Sequence, residues 1–310
     1  MQVHRRTDGL PVFRKAVVTI GTFDGVHRGH CKIIAQLNAA AARIGGESVI
    51  ITFHPHPRQI VKGAHPVQLI NTLEEKIALL EAAGVDHLVI VPFTEAFSSL
   101  TATQYVEDFL LKLFQPHTLI IGYDHRFGNG RSGDFKMLEE YASANKFELL
   151  EIAPELLKES AVSSTRIREA VQQGDAELAA GLLGYPFNFE GLVVEGNRIG
   201  RTIGYPTANL QVTDTEKLTP GNGVYAVMVY IPGQMADTAK KGMMNIGHRP
   251  TVDGTRRTIE VNIFDFKGDL YGETIRVEVV KYLRGEQKFS GLDALKAQLA
   301  KDKEEALAHL

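Results

Sequence analysis

Five short apolar runs, at residues 17–21, 48–53, 87–93, 118–123 and 147–152, alternate with helical patterns through the first half of this chain. The helical patterns lie at 31–43, 72–83, 102–114 and 135–145. The runs are mostly continuous in their apolar character, as strands buried on both faces are. Strand–helix alternation of this kind predicts a parallel, doubly wound sheet. Such sheets bind ligands beyond the carboxyl ends of their strands. Three polar segments fall at those ends: residues 21–30, 54–58 and 122–134.

The texture changes further on. After Ala153-Pro154 the chain reads as helical over 164–173 and 175–184, and Tyr185-Pro186 marks a boundary. From Phe189 onward, period-2 runs occupy 189–195, 223–231, 241–246, 257–266 and 274–283, parted by glycine and proline turns. That pattern predicts antiparallel strands in a small closed barrel. Leu292, Leu295 and Leu299 mark one face of a final amphipathic helix. The expected architecture is α/β. A Rossmann-like, doubly wound domain spans 1–184. A small antiparallel β-barrel with a terminal helix spans 185–310. A chain of 310 residues holds about two domains of ordinary size.

Bulk properties narrow the function classes. A net charge of −3 gives no general pull toward nucleic acid or anionic lipid. The single cysteine, Cys31, excludes an intrachain disulfide and fits a reducing compartment. The N-terminus lacks the apolar core of a signal peptide, and no apolar run approaches the roughly 20 residues that span a bilayer. The expectation is a cytoplasmic monomer or weak homo-oligomer, with neither membrane nor nucleic acid as partner.

The densest segment is Gly21-Thr22-Phe23-Asp24-Gly25-Val26-His27-Arg28-Gly29-His30. It joins the run Ala16-Val17-Val18-Thr19-Ile20 to a helical pattern starting near Cys31. A strand, a glycine-rich turn and a helix N-terminus aim free backbone N–H groups and the helix dipole at one spot. His27 and His30 flank that spot. Each reads plainly as a cap or a packed residue. A His-x-x-His pair also suits zinc, but no further Cys or His has ligand spacing nearby. The third reading is phosphate chemistry. Glycine lets phosphate approach the backbone, and histidine stabilises charge that develops in a transition state.

Other segments follow strands in the same way. Phe53-His54-Pro55-His56-Pro57-Arg58 reads as a stiff turn or as a shaped wall for a flat ligand. Residues 122–134 mix glycines, aspartates, arginines and aromatics, and their place at a strand end favours ligand contact. Ser163-Ser164-Thr165-Arg166-Ile167-Arg168 reads as a helix opening, with hydroxyl caps and guanidinium groups ready for phosphate.

In the second module, Gly200-Arg201-Thr202-Ile203-Gly204-Tyr205-Pro206-Thr207-Ala208-Asn209 forms a tight turn. Thr207 and Asn209 alternate with Ala208, so both can face one site. Hydroxyl and amide oxygens are hard ligands that suit Mg²⁺ carrying phosphates, although a plain polar turn has the same look. On the strand around Glu260, Ile259, Val261 and Ile263 share one face, and Glu260 and Asn262 share the other. An outward acidic residue is ordinarily just solvated. In a barrel's mouth it can orient or deprotonate a hydroxyl.

Gly-x-Phe-Asp-Gly-x-His-x-Gly-His resembles the signature of a nucleotidyltransferase superfamily. Taken with Phe-His-Pro-His-Pro, Gly-Tyr-Asp-His-Arg-Phe-Gly and Ser-Ser-Thr-Arg-Ile-Arg, it resembles the adenylyltransferase half of the bacterial bifunctional FAD synthetases. The later segments, with Pro-Thr-Ala-Asn as hallmark, resemble a riboflavin kinase module. Some members of that family carry other residues at the positions of His54 and His125, and Tyr205 stands where Phe is common. The resemblance implies two reactions: riboflavin and ATP give FMN in the second module, and FMN and a second ATP give FAD and pyrophosphate in the first.

It also implies roles. Gly21, Phe23, Gly25 and Gly29 cradle ATP. His27 and His30 stabilise the pentavalent α-phosphorus and the departing pyrophosphate. Asp124 contacts the nucleotide or its Mg²⁺, and Ser164, Thr165 and Arg168 grip phosphates. Phe53, Pro55 and Pro57 wall the flavin. Gly200, Arg201, Thr207 and Asn209 bind Mg-nucleotide, with Mg²⁺ on Thr207 and Asn209, and Glu260 is the catalytic base. The residue chemistry agrees with that division. A primary alcohol benefits from a general base. A phosphate monoester is largely dianionic at neutral pH and needs positioning and neutralisation instead. The glycine–histidine motif alone leaves the acceptor open. A flavin-responsive regulator would bind these ligands without turnover.

Overall fold

The computed structural model describes residues 1–61, 67–196, 199–233, 239–251 and 254–310, of which 155–163, 199, 249–251 and 254–256 are described by backbone alone. The chain divides into two compact units, Met1–Ser164 and Thr165–Leu310.

The first unit carries a sheet of β1 (Gln2–His4), β2 (Val17–Ile20), β3 (Ser48–His54), β4 (His87–Pro92), β5 (Thr118–Gly122) and β6 (Glu148–Ile152). All pairings are parallel, in the order β1-β4-β3-β2-β5-β6. The five expected strands are present. The edge strand β1 is additional, and at three residues it is too short to show a period. From central β2 the chain runs outward through β3 and β4 on one side, and β5 and β6 lie on the other. That reversal sets the carboxyl ends of β2 and β5 side by side, where doubly wound sheets bind ligands. Residues 21–30, 54–58 and 122–134 do follow β2, β3 and β5.

The strands are continuous apolar runs because both faces are covered. Val17, Ile50 and Leu88 pack against Ile33, Ile34, Leu37 and Leu80 on one side. Val18, Ile51, Val89 and Leu119 pack against Val106, Phe109, Phe114 and Leu138 on the other. The first helix is Arg28–Ile44, capped by His27, so it opens three residues earlier than the expected Cys31. The helical pattern at 102–114 contains a π-helical stretch, Tyr105–Leu111.

One expectation fails here. Residues 163–168 do not open a helix. They lie inside a helix that starts at Pro154 and runs to Gln173. A mid-helix segment has its N–H groups bonded within the helix, so it offers phosphate no dipole end. Pro154 at the first position is the start signal that outweighs the serines.

The second unit closes β7 (Asn188–Val194), β8 (Ala208–Gln211), β9 (Gly223–Tyr230), β10 (Lys240–Thr251), β11 (Gly254–Ile263) and β12 (Thr274–Arg284) into an antiparallel barrel. β8 is the strand that period-2 reading misses, because it is four residues long and half polar. Ile259, Val261 and Ile263 face the barrel interior with Tyr225, Val227, Met244 and Val277. The opposite face of β9–β11 carries Ala226, Met243 and Phe264, which pack with Ala306 of the terminal helix Leu292–His309. Glu260 and Asn262 share that helix-covered outer face, not the barrel mouth. Leu295 and Leu299 face the barrel, but Leu292 is 58% exposed and leaves the expected stripe. A polar contact anchors the helix as well. Arg284 donates Nε and Nη2 to the two carboxylate oxygens of fully buried Asp302, at 2.8 and 2.6 Å.

Candidate functional site

Residues 21–30 form a tight, strained turn. Phe23 and Val26 hold φ of 46° and 33°, beside Gly25 at 93°. A β-branched residue in the left-handed region costs about 1–3 kcal/mol and persists only where its surroundings over-determine it. The surroundings here do so. The Thr22 carbonyl accepts from Thr52 Oγ1 at 3.2 Å and from Lys76 Nζ at 2.7 Å. Buried Asp24 accepts from the backbone N–H groups of Ile70 and Asn71 at 3.0 and 3.3 Å. Gly21 sits under the Phe23 ring, where a Cβ would come to 3.0 Å.

His27 is wholly buried, and its Nδ1 accepts from the His30 backbone N–H at 3.3 Å, capping the helix. That bond fixes the tautomer, so Nε2 carries the proton and donates to Ser164 Oγ at 2.9 Å. The Ser164 hydroxyl in turn points at the Asp24 carbonyl, 3.5 Å away. The His30 ring stacks on His27, centroids 3.7 Å apart, and leans on Phe23 at 5.1 Å. Burial first, then the neighbouring His27 and Lys76, holds the His30 imidazole neutral, well below its usual range. Its Nδ1 is buried without a hydrogen-bond partner. Gly21, Phe23, Gly25, His27, Gly29, His30 and Ser164 therefore meet at one locus. Thr165, exposed, and Arg168, half-buried, lie further along the Pro154–Gln173 helix in the second unit.

The flanking loops are built for rigidity. Pro57 is the first residue of a helical turn capped reciprocally by His56 and Gln59. Phe53 joins an aromatic cluster, 5.4 Å from Phe93 and 5.7 Å from Phe97. Pro55 and Pro57 stay half-buried. Beyond β5, Asp124 is exposed, while Phe127 stacks on Tyr105 at 4.8 Å. His125 is enclosed, and burial drives its pKa down to about 4. Its Nε2 has no hydrogen-bond partner.

In the second unit a cavity of about 430 Å³ opens between the barrel's outer face and the terminal helix. Gly200, Thr207, Asn245, Glu260 and Asn262 supply its polar wall, and Tyr205, Met243, Phe289, Leu295 and Leu299 its apolar wall. Register makes the polar wall. Glu260 pairs with Asn209 on β8 and with Asn245 on β10, so the three stand in a row across three strands. Asn262 Nδ2 donates to the Pro206 carbonyl at 2.6 Å, which pins the turn before Thr207. Glycine keeps room for both expected ligands. A Cβ at Gly196 would overlap the Asn209 amide, and one at Gly200 would overlap the Tyr205 carbonyl. The Thr207 hydroxyl and Asn209 amide oxygen are hard oxygen donors, which fit Mg²⁺. Among the described residues no group of three or more His, Cys, Asp or Glu is arranged to hold a metal. Arg201 is exposed on the short helix Ile199–Thr202.

Sequence reasoning passed over Lys76, Arg284 and Asp302. Each lies within an amphipathic pattern where a charged residue looks solvated, and only the packing shows otherwise.

One unit is thus a doubly wound sheet with a histidine-capped anion turn, and the other a barrel with a carboxylate-bearing cavity. Together they define a chain with two phosphate-transfer modules. Residues 11–166 match the FAD synthetase family, and residues 183–310 match the riboflavin kinase family. A bifunctional riboflavin kinase/FMN adenylyltransferase of Bacillus subtilis is 37% identical over 95% of this chain and 92% of its own. Its namesake from Escherichia coli K12 is 38% identical over 92% and 90%. The chain belongs to the bifunctional riboflavin kinase/FMN adenylyltransferase family. A crystal structure from Streptococcus pneumoniae, described as a macrolide-efflux protein, superposes with a TM-score of 0.84 at 33% identity, covering 98% of both chains. No helix among the described residues of the present chain is long and apolar enough to cross a membrane.

Proposed function

We propose that the two modules act in sequence on one flavin, with a general base in the second and none in the first. The chain is a bifunctional transferase, a riboflavin kinase in its C-terminal part and an FMN adenylyltransferase in its N-terminal part. One observation carries the division of labour. Glu260 stands on the cavity wall beside Asn209 and Thr207, whereas the buried carboxylate of the adenylyl site, Asp24, is committed to the backbone of residues 70 and 71.

In the kinase cavity, Glu260 takes the proton of the riboflavin 5′-hydroxyl as that oxygen attacks the γ-phosphorus of ATP, the bond to the β,γ-bridging oxygen breaks, and ADP leaves. The apolar wall receives the flavin ring. Thr207 and Asn209 hold Mg²⁺, which when bound neutralises nucleotide phosphate charge. Gly200 and Arg201 shape the nucleotide turn.

In the adenylyl site, Gly21, Phe23, Gly25, Gly29 and the first helix's N-terminus cradle ATP. The FMN phosphate is already a dianion and attacks the α-phosphorus without a base. His30 and His27 stabilise the charge that moves onto the transferring phosphoryl and pyrophosphate oxygens. His27 does so as the protonated-Nε2 tautomer that its cap enforces. Ser164, through its hydroxyl on His27 Nε2, steadies that ring. Asp124 contacts the nucleotide or its Mg²⁺, and Phe53, Pro55 and Pro57 wall the flavin. We assign residues 1–184 to adenylyl transfer and 185–310 to the kinase, in a cytoplasmic monomer or weak homo-oligomer.

The test is direct. Purified protein with riboflavin, ATP and Mg²⁺ is followed by chromatography, with FMN expected first and FAD after it. Neither product would make the chain a flavin-binding regulator.

A further inference from the structure

We infer that Lys76 is a positioning residue for adenylyl transfer: its buried ammonium holds the Thr22 carbonyl, and with it the strained turn that presents His27 and His30. This role rests on the reading of the first unit as the FMN adenylyltransferase.

Lys76 belongs to the helix Leu73–Ala82, whose other inward residues, Leu73, Ile77 and Leu80, pack in the apolar core. A lysine is 7% exposed there. Burying an ammonium is unfavourable unless it is paired or hydrogen-bonded. The burial lowers its proton affinity, and the nearby Asp24 charge opposes that shift. The partner that Nζ reaches is the Thr22 carbonyl, at 2.7 Å. Thr22 is the residue before Phe23, where φ turns positive and the chain leaves the strand for the histidine turn.

The turn is held on several sides. Thr52 Oγ1 donates to the same Thr22 carbonyl, and Asp24 accepts from residues 70 and 71, which lead into the helix that carries Lys76. The strained φ at Phe23 and Val26 cannot survive without such ties. A buried methionine would fill the same space at lower cost. A cation at this position secures the backbone instead, and it sets fixed positive charge close to His30.

The experiment uses the full chain, whose kinase module serves as an internal control. FAD formation from added FMN and FMN formation from riboflavin are measured for wild type, Lys76→Met, Lys76→Arg and Thr52→Val. Displacing reacting groups by about 1 Å costs on the order of a hundredfold. Lys76→Met is expected to lower kcat for FAD formation by about that factor, to leave KM for ATP within about threefold, and to spare the kinase. Lys76→Arg, which keeps a charged donor, should recover at least about tenfold of the loss. Adenylylation within about twofold of wild type in Lys76→Met overturns the role, and so does an Arg variant as impaired as the Met variant. If Lys76→Met loses the calorimetric transition of the first unit, Thr52→Val decides. It should lower adenylylation severalfold with folding intact, and unchanged activity overturns the role. Absence of FAD formation in the wild type is a different failure, that of the adenylyltransferase reading itself.

Discussion

Ser164 Oγ stands 2.9 Å from His27 Nε2, while Nδ1 of the same ring caps the first helix. The imidazole is therefore held from both sides in one tautomer. Ser164→Ala removes the hydroxyl that Nε2 faces, and a lost hydrogen bond costs about 0.5–1.5 kcal/mol. We expect FAD formation to fall by about tenfold or more, with riboflavin phosphorylation unchanged. Chromatographic assays of both products on the same preparation check this. Equal loss of both activities would count against a local effect.

Glu260 sits in register with Asn209 and Asn245 on the cavity wall. Glu260→Gln keeps the shape and removes the base. General-base catalysis is worth about 10²–10⁴-fold. The variant should lose that much kinase turnover, yet still convert supplied FMN to FAD. Normal FMN production would refute the base assignment.

A Cβ at Gly200 overlaps the Tyr205 carbonyl and lies 3.7 Å from Thr207 Oγ1. The backbone at residue 200 is not in the left-handed region, so alanine is strained there only by contact. Gly200→Ala should displace the turn carrying Thr207 and lower kinase kcat by about tenfold, again without harm to adenylylation. Steady-state kinetics with varied ATP distinguish this from simple loss of affinity.

Much of this arrangement was legible in the sequence. The continuous runs at 17–21 and 118–123 had to be buried on both faces, and the sheet order then put their polar successors together. What stayed hidden was set by packing. Ser164 looked like a helix cap, yet it lies mid-helix with its hydroxyl on His27, because Pro154 starts the helix earlier. Glu260 was legible as the polar side of an alternating strand, but that this outer side is covered and lines a cavity depends on where the terminal helix docks. Leu292 fitted the amphipathic stripe and turned out exposed, because the helix is aligned by Asp302 on Arg284, a contact from another strand. No local period carries such information.

His125 gives the first unit a predicted acid sensitivity. Burial lowers its pKa to about 4, against an opposing pull from Asp124 and with a lesser push downward from Arg131. Above about pH 6.5 the folded and unfolded forms are both neutral, and the group contributes nothing to pH dependence. As pH falls from there toward 4, the unfolded chain binds a proton that the folded chain refuses. Stability is lost through that window by about 3 kcal/mol in total. His30, lowered for the same leading reason, adds loss in the same direction. His125→Phe keeps a ring against Phe127 and removes the titration. Calorimetry should show its first-unit transition falling less than that of wild type between about pH 6.5 and 4.5. Parallel falls would show that His125 is not the sensor.

Asp302 is fully buried, accepts from Nε and Nη2 of Arg284, and takes a further bond from Gln298 at 2.8 Å. Removing one partner of a buried pair strands the other charge, at about 3–5 kcal/mol. Arg284 is 15% exposed, so water relieves only a little of that. Asp302→Ala should therefore lower the melting of the barrel unit and loosen the helix that brings Leu295 and Leu299 to the cavity. Loss of the apolar wall weakens flavin contact before it touches Glu260. The expected signature is a raised KM for riboflavin with kcat less affected, and adenylylation of added FMN untouched. A variant with unchanged melting and unchanged KM would mean that the apolar packing of Leu299, Ala306 and Leu310 against Met243 and Phe264 holds the helix without the ion pair.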